Sequence, residues 1–88
     1  MYKVVYSKPA IKSLKKMDKP TQKLLTTWIK RNLKNIDDPR KIGKSLSGNR
    51  SNQWRYRKGK YRIIVDITDD ELVILVLDIG HRKDIYRG

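Results

Sequence analysis

The ten residues from Gln53 to Arg62 constrain this chain more than any others. They run Gln-Trp-Arg-Tyr-Arg-Lys-Gly-Lys-Tyr-Arg, alternating aromatic and cationic side chains at a period of two. Successive side chains of a strand point to opposite faces. Trp54 and Tyr56 therefore share one face, and Arg55 and Arg57 share the other. Beyond a turn at Gly59 the alternation resumes, with Tyr61, Ile63 and Val65 on one side and Arg62 opposite. The spacing predicts a β-hairpin with an apolar face to bury and an arginine face left open.

The rest of the chain supplies something to bury it against. Tyr2 to Tyr6 is short, β-branched and aromatic, and predicts a first strand. Ser7 then stands as a helix N-cap, with Pro9 in the first turn. Ala10, Leu14 and Met17, with Ile11 beside them, form one apolar stripe that stops at Asp18-Lys19-Pro20. Pro20 opens a second helix, in which Leu24, Leu25, Trp28, Ile29, Leu33 and Ile36 recur every three or four residues. Lys23, Lys30, Arg31 and Lys34 lie opposite, and Asp37-Asp38-Pro39 ends the helix. So short a connection makes the pair an αα-hairpin. Trp28 is expected to be a core anchor between helix and sheet.

Arg40 to Asn52 is polar and basic and is expected to be a loop, with a short turn around Ile42 to Leu46. The second strand of the hairpin continues to Ile67, and Thr68-Asp69-Asp70-Glu71 turns the chain again. Leu72 to Leu77 is apolar on both faces, which predicts a central strand covered on both sides. One cover is the helices; the other is the C-terminal tail, a loop or a partner protein. The order of elements is β-α-α-β-β-β. It predicts an α+β fold in one domain over residues 1–88: an N-terminal strand, an αα-hairpin and a three-stranded antiparallel meander, with the helices on one face of a small sheet.

Charge narrows the function. Twenty-two Lys and Arg residues against nine Asp and Glu give a net +13 on 88 residues, which favours a polyanionic partner. The excess is concentrated: Pro39 to Val65 holds nine Lys or Arg and no acid, whereas a merely solvated face mixes both signs. There are no cysteines for disulfides or thiolate metal sites. The apolar runs are far shorter than a membrane span and Met1-Tyr2-Lys3-Val4 does not open like a signal peptide, so a cytoplasmic protein with no membrane partner is expected. No glycine-rich phosphate loop is present. His81, the one histidine, precedes Arg82 and Lys83, which repel a cation, and no metal or cofactor is expected.

What remains is a set of cations and phenols: Arg55, Arg57, Lys58, Lys60, Arg62, His81, Arg82, Lys83 and Tyr86, with Arg50 in the basic loop ahead of them. Arginine forks bind phosphate oxygens in pairs and stay charged. Aromatic rings stack on exposed RNA bases. The set suits metal-free cleavage of RNA, in which the 2′-OH attacks its own phosphorus and fixed cations stabilise the phosphorane.

Two signatures, Trp-Arg-Tyr-Arg followed by Gly-Lys-Tyr-Arg-Ile, and then Gly-His-Arg-Lys-Asp-Ile-Tyr, stand in this order behind the strand and the Lys-rich helical hairpin. Together they resemble the RelE/ParE superfamily of bacterial type II toxins, and more closely its RelE branch, over nearly the whole chain. The resemblance implies a ribosome-dependent mRNA interferase. Such a toxin cuts the A-site codon at the 16S rRNA decoding site without metal, leaving a 2′,3′-cyclic phosphate and a 5′-hydroxyl. An acidic, RelB-like antitoxin wraps and silences it. On this resemblance Arg62, Arg82 and Tyr86 fall on catalytic positions. Arg55 and Arg57 fall on two basic positions of the preceding strand that are lysines in the best-known branch member. Arg57 is assigned with the catalytic set. Arg55, Lys58, Lys60, Lys83 and Arg50 are expected to hold RNA. Arginine is a poor general base. His81, whose unperturbed pKa alone lies near neutrality, is therefore the expected acid–base group, with Lys58 or Lys60 able to swing in. Two other readings stay open: a ParE-like inhibitor of DNA gyrase, which does not rely on this basic and tyrosine set, and a non-catalytic RNA-binding protein.

Overall fold

The structure, a computed structural model, describes residues 1–45 and 52–81. The expectations for Arg50, Arg82, Lys83 and Tyr86 fall outside those residues. Within them the chain forms β1 (Lys3–Tyr6), α1 (Lys8–Lys15), α2 (Lys19–Asn32), β2 (Lys44–Ser45), β3 (Gln53–Lys58), β4 (Tyr61–Thr68) and β5 (Val73–His81).

α1 begins where its cap places it. The Ser7 hydroxyl accepts a hydrogen bond from the Ala10 N–H at 3.2 Å and donates to the Leu77 carbonyl at 2.9 Å, so one side chain both starts α1 and ties it to β5. Pro9 and Pro20 stand in the first turns of the two helices, where a missing N–H costs nothing. α2 ends at Asn32, a turn short of the expected Ile36. Asn35 closes the following turn at φ 63°, a conformation that asparagine tolerates better than most residues, and its N–H donates to the Tyr2 carbonyl.

The strands lie in the order β1-β5-β4-β3-β2. β3, β4 and β5 form the expected antiparallel meander, and β1 adds in parallel at the free edge of β5, its crossover being the helical hairpin. The loop ahead of the meander contributes an element that the sequence pattern does not reveal: β2, two residues that pair Lys44 with Arg55 and Ser45 with Trp54. Ile64 pairs with Asp78 and Val65 with Val76, so Leu77 is the extra residue of a bulge in β5.

Ala10 and Leu14 of α1, with Leu25 and Ile29 of α2, pack on Tyr56, Ile63, Val65, Ile67, Ile74, Val76 and Ile79 of the sheet. Each such aliphatic side chain contributes about 1.5–3 kcal/mol when fully buried. Two expectations about this core need correction. Leu24, counted with the buried stripe of α2, is 49% exposed, because the inward side of the helix is filled by Leu25, Ile29 and Leu33, with Trp28 and Ile36 half-buried beside them. The central strand starts at Val73, after Leu72 at φ 53° in the turn, and its second face (Val73, Leu75, Leu77) is only half-buried.

Candidate functional site

The hairpin that carries the arginines is fixed at its tip, along its ladder and at its outer edge. At the tip, Lys58 pairs with Tyr61 across the two residues Gly59 and Lys60. Gly59 has φ 59°, a conformation that suits glycine at the first position of a tight hairpin turn. Along the ladder, Arg57 is the direct partner of Arg62 and Arg55 that of Ile64. Partners point the same way, so Arg55, Arg57 and Arg62 share one face, while Tyr56 and Ile63 point into the core. At the edge, the Tyr56 hydroxyl donates to the Pro39 carbonyl and Trp54 Nε1–H donates to the Ile42 carbonyl at 2.6 Å. Burial pushes the Tyr56 phenol up, so it stays a donor.

These bonds press residues 39–43 onto β3, and Gly43 permits the approach. It sits at φ 81°, and a Cβ there would lie 2.3 Å from the Arg55 carbonyl oxygen. A second clasp holds the start of the segment. Arg40 Nη1 donates to Asp69 Oδ1 at 2.9 Å and Tyr2 Oη donates to the same oxygen at 2.7 Å. The Arg40 bond, and then the Tyr2 bond, hold the Asp69 carboxyl below the usual carboxylate range.

The result is a cleft of about 460 Å³ lined by Trp28 and Asn32 of α2, Ile42, Gly43 and Lys44 of the edge segment, and Arg55, Tyr56, Arg57 and Arg62. Its lining comes from both faces of the sheet, so it wraps the edge of β3 where β2 gives out. Arg62 is only 7% exposed, unusual for arginine, and among the described residues no carboxylate pairs with it; the ion pair found there is Arg40–Asp69. Two cations held opposite each other, one nearly buried, repel until an anion bridges them.

The structure thus brings Arg55, Arg57 and Arg62 together, and leaves other expected residues apart. Lys58 is on the opposite side of β3, and Lys60 is exposed in the turn. His81 pairs with Tyr61, with ring centroids 5.9 Å apart, on the face away from Arg57 and Arg62. It lines a separate cavity of about 350 Å³ with Ser13, Lys16 and Asp78. The arginines and the histidine expected to work with them are therefore on different sides of the sheet at these positions. Sequence reasoning missed Trp28, Asn32, Gly43 and Lys44 as cleft residues. The i, i+4 spacing of Trp28 and Asn32 and the acid-free run around Gly43-Lys44 are the signals that bear on them.

A sheet with a helical hairpin on one face and an arginine-lined cleft at its edge defines a small basic α+β protein. Residues 4–86 match the family model described as "ParE toxin of type II toxin-antitoxin system, parDE", and the chain belongs to this toxin family, within the RelE/ParE superfamily. It is similar to Toxin RelG of Mycobacterium tuberculosis, 34% identical over 50 residues, which make up 57% of this chain and 58% of that protein's length. Its fold is that of a chain in the M. tuberculosis toxin–antitoxin complex RelBE2 (TM-score 0.81, 23% identity, 92% and 91% of the two chains covered). It is also that of the isolated Escherichia coli RelE toxin (TM-score 0.74, 20% identity, 98% and 92% covered).

Proposed function

We propose that this chain is a ribosome-dependent endoribonuclease that cleaves mRNA in the A-site codon, by attack of a 2′-OH on the adjacent phosphorus. The observation that carries this reading is the Arg57–Arg62 pair, with Arg55 beside it, lining one cleft that has no Asp or Glu among its described residues. In the reaction the 2′-OH gives its proton to water as the new O–P bond closes a 2′,3′-cyclic phosphate, and the bond to the 5′-oxygen breaks as that oxygen takes a proton from water to become a 5′-hydroxyl. Charge grows on the non-bridging oxygens, where two fixed guanidinium groups stabilise it more than they stabilise the ground state. Arg82 and Tyr86, assigned by the resemblance, complete the set, and the reaction is taken to need no metal. The partner that silences the toxin is an acidic, RelB-like antitoxin segment covering the arginine face, a reading supported by the fold likeness to a chain of the RelBE2 complex. The other partners are the 16S rRNA of the decoding site and the message, so the place of action is the cytoplasm.

The test is to add the protein to programmed ribosomes with a defined A-site codon and map the 5′ ends of the message. Cuts within that codon are expected, and intact message at saturating protein would refute the reading. The matching family model is described by ParE, so a gyrase supercoiling assay belongs beside it. Inhibition of supercoiling without mRNA cleavage would select the ParE-like alternative.

A further inference from the structure

We infer that the RNA strand held at the arginine pair continues around the free edge of β3 onto the outer face of α2, where Trp28 is a stacking surface for a flanking base. The inference rests on the RNA-binding reading above and adds a second subsite to it. A second cleft, of about 660 Å³, lies along α2, lined among others by Lys23, Leu24, Trp28, Arg31, Asn32 and Lys58. Trp28 and Asn32 line both clefts, so the two adjoin, and no Asp or Glu among the described residues lines either. A strand leaving the arginine face therefore meets cations at each step: Lys44 at the edge, Lys58 beyond it, then Arg31 and Lys23.

Trp28 is suited to the role by how it is held. It packs against Tyr56, with centroids 5.9 Å apart and planes 52° apart, which anchors the indole in a residue that borders both clefts. A pre-anchored ring loses little side-chain freedom when a base stacks on it. Leu24, half-exposed beside it, offers apolar surface to a base or ribose. An acidic amphipathic protein segment could also cover Leu24. The adjoining arginine cleft, and an aromatic residue shared by the two, favour a single strand of RNA.

The experiment compares a four-nucleotide and a twelve-nucleotide oligouridylate by fluorescence anisotropy with the full chain. The longer oligomer is expected to bind more tightly. Lys23→Ala/Arg31→Ala should weaken its binding about tenfold, bring the ratio of the two affinities towards one, and reduce its salt slope by about 1.4 for two lost phosphate contacts. Trp28→Leu, if folded, should lose a similar factor with no change in slope. An unchanged affinity of the longer oligomer for the double variant, whose two side chains are exposed, overturns the inference and leaves the face to a protein partner. In that case normal binding of the shorter oligomer would leave the arginine site standing. Failure of both oligomers to bind at low salt would overturn the RNA reading and this extension together.

Discussion

Arg57 and Arg62 show what a residue's position adds to its identity. From the sequence both are cations on an open strand face, and the period of two was enough to place them there. Their cross-strand pairing and the near-burial of Arg62 depend on the register of β3 on β4 and on what packs around it. His81 went the other way. Its pKa class and its place beside Arg82 suggested the arginine site, yet a strand's alternation sends it to the Tyr61 side. His81→Asn is accordingly expected to leave the cleavage rate within a few-fold of wild type and its pH profile unchanged. Loss of a limb of that profile together with a large fall in rate would restore the histidine to acid–base work. Asp69 gives a pH prediction for the fold. Its carboxyl is held below the usual range by Arg40 and Tyr2, so its stabilising contribution is present above the unfolded value near 3.9 and disappears as pH falls through the folded one. Thermal melts of Asp69→Asn should show a shallower loss of Tm than wild type as pH is lowered below about 4.

At the scale of elements, the hairpin, both helices and the Ser7 cap were legible because local patterns dictate them, although α2 stops a turn before the expected Ile36. β2 was not, since two residues carry no periodicity, and the segment is held through Tyr56, Trp54 and the space at Gly43. The width of the α2 stripe was misread at Leu24 because a helical period gives a direction but not how far the core reaches around the helix. The two positive-φ glycines separate local strain from packing. Gly59→Ala meets no neighbouring atom within 4 Å and should cost only the backbone penalty of about 1–2 kcal/mol, at roughly 4–8 °C of Tm per kcal/mol. Gly43→Ala carries the same penalty and forces a methyl to 2.3 Å from a backbone oxygen. Its Tm should fall further and its cleft should open, weakening RNA binding. Equal losses for the two variants would show that residues 39–43 yield without consequence.

For the whole molecule, the net +13 is a long-range force as well as a site. Association with ribosomes or RNA should weaken steeply with salt, the slope for single strands being about 0.7 per phosphate contact. Cleavage by bound toxin should depend on salt far less, because the arginine cleft is partly shielded. No helix among the described residues is long and apolar enough to cross a membrane. The charge alone fits a binding protein as well as an enzyme, so the decisive quantity is rate at fixed occupancy. Single-turnover cleavage on programmed ribosomes should be measured for wild type and Arg62→Ala, with binding measured in parallel. Loss of one such donor should slow cleavage by about 10²–10³ while affinity changes only a few-fold. A rate that falls only in proportion to affinity would contradict the claim that the Arg57–Arg62 pair stabilises a transition state.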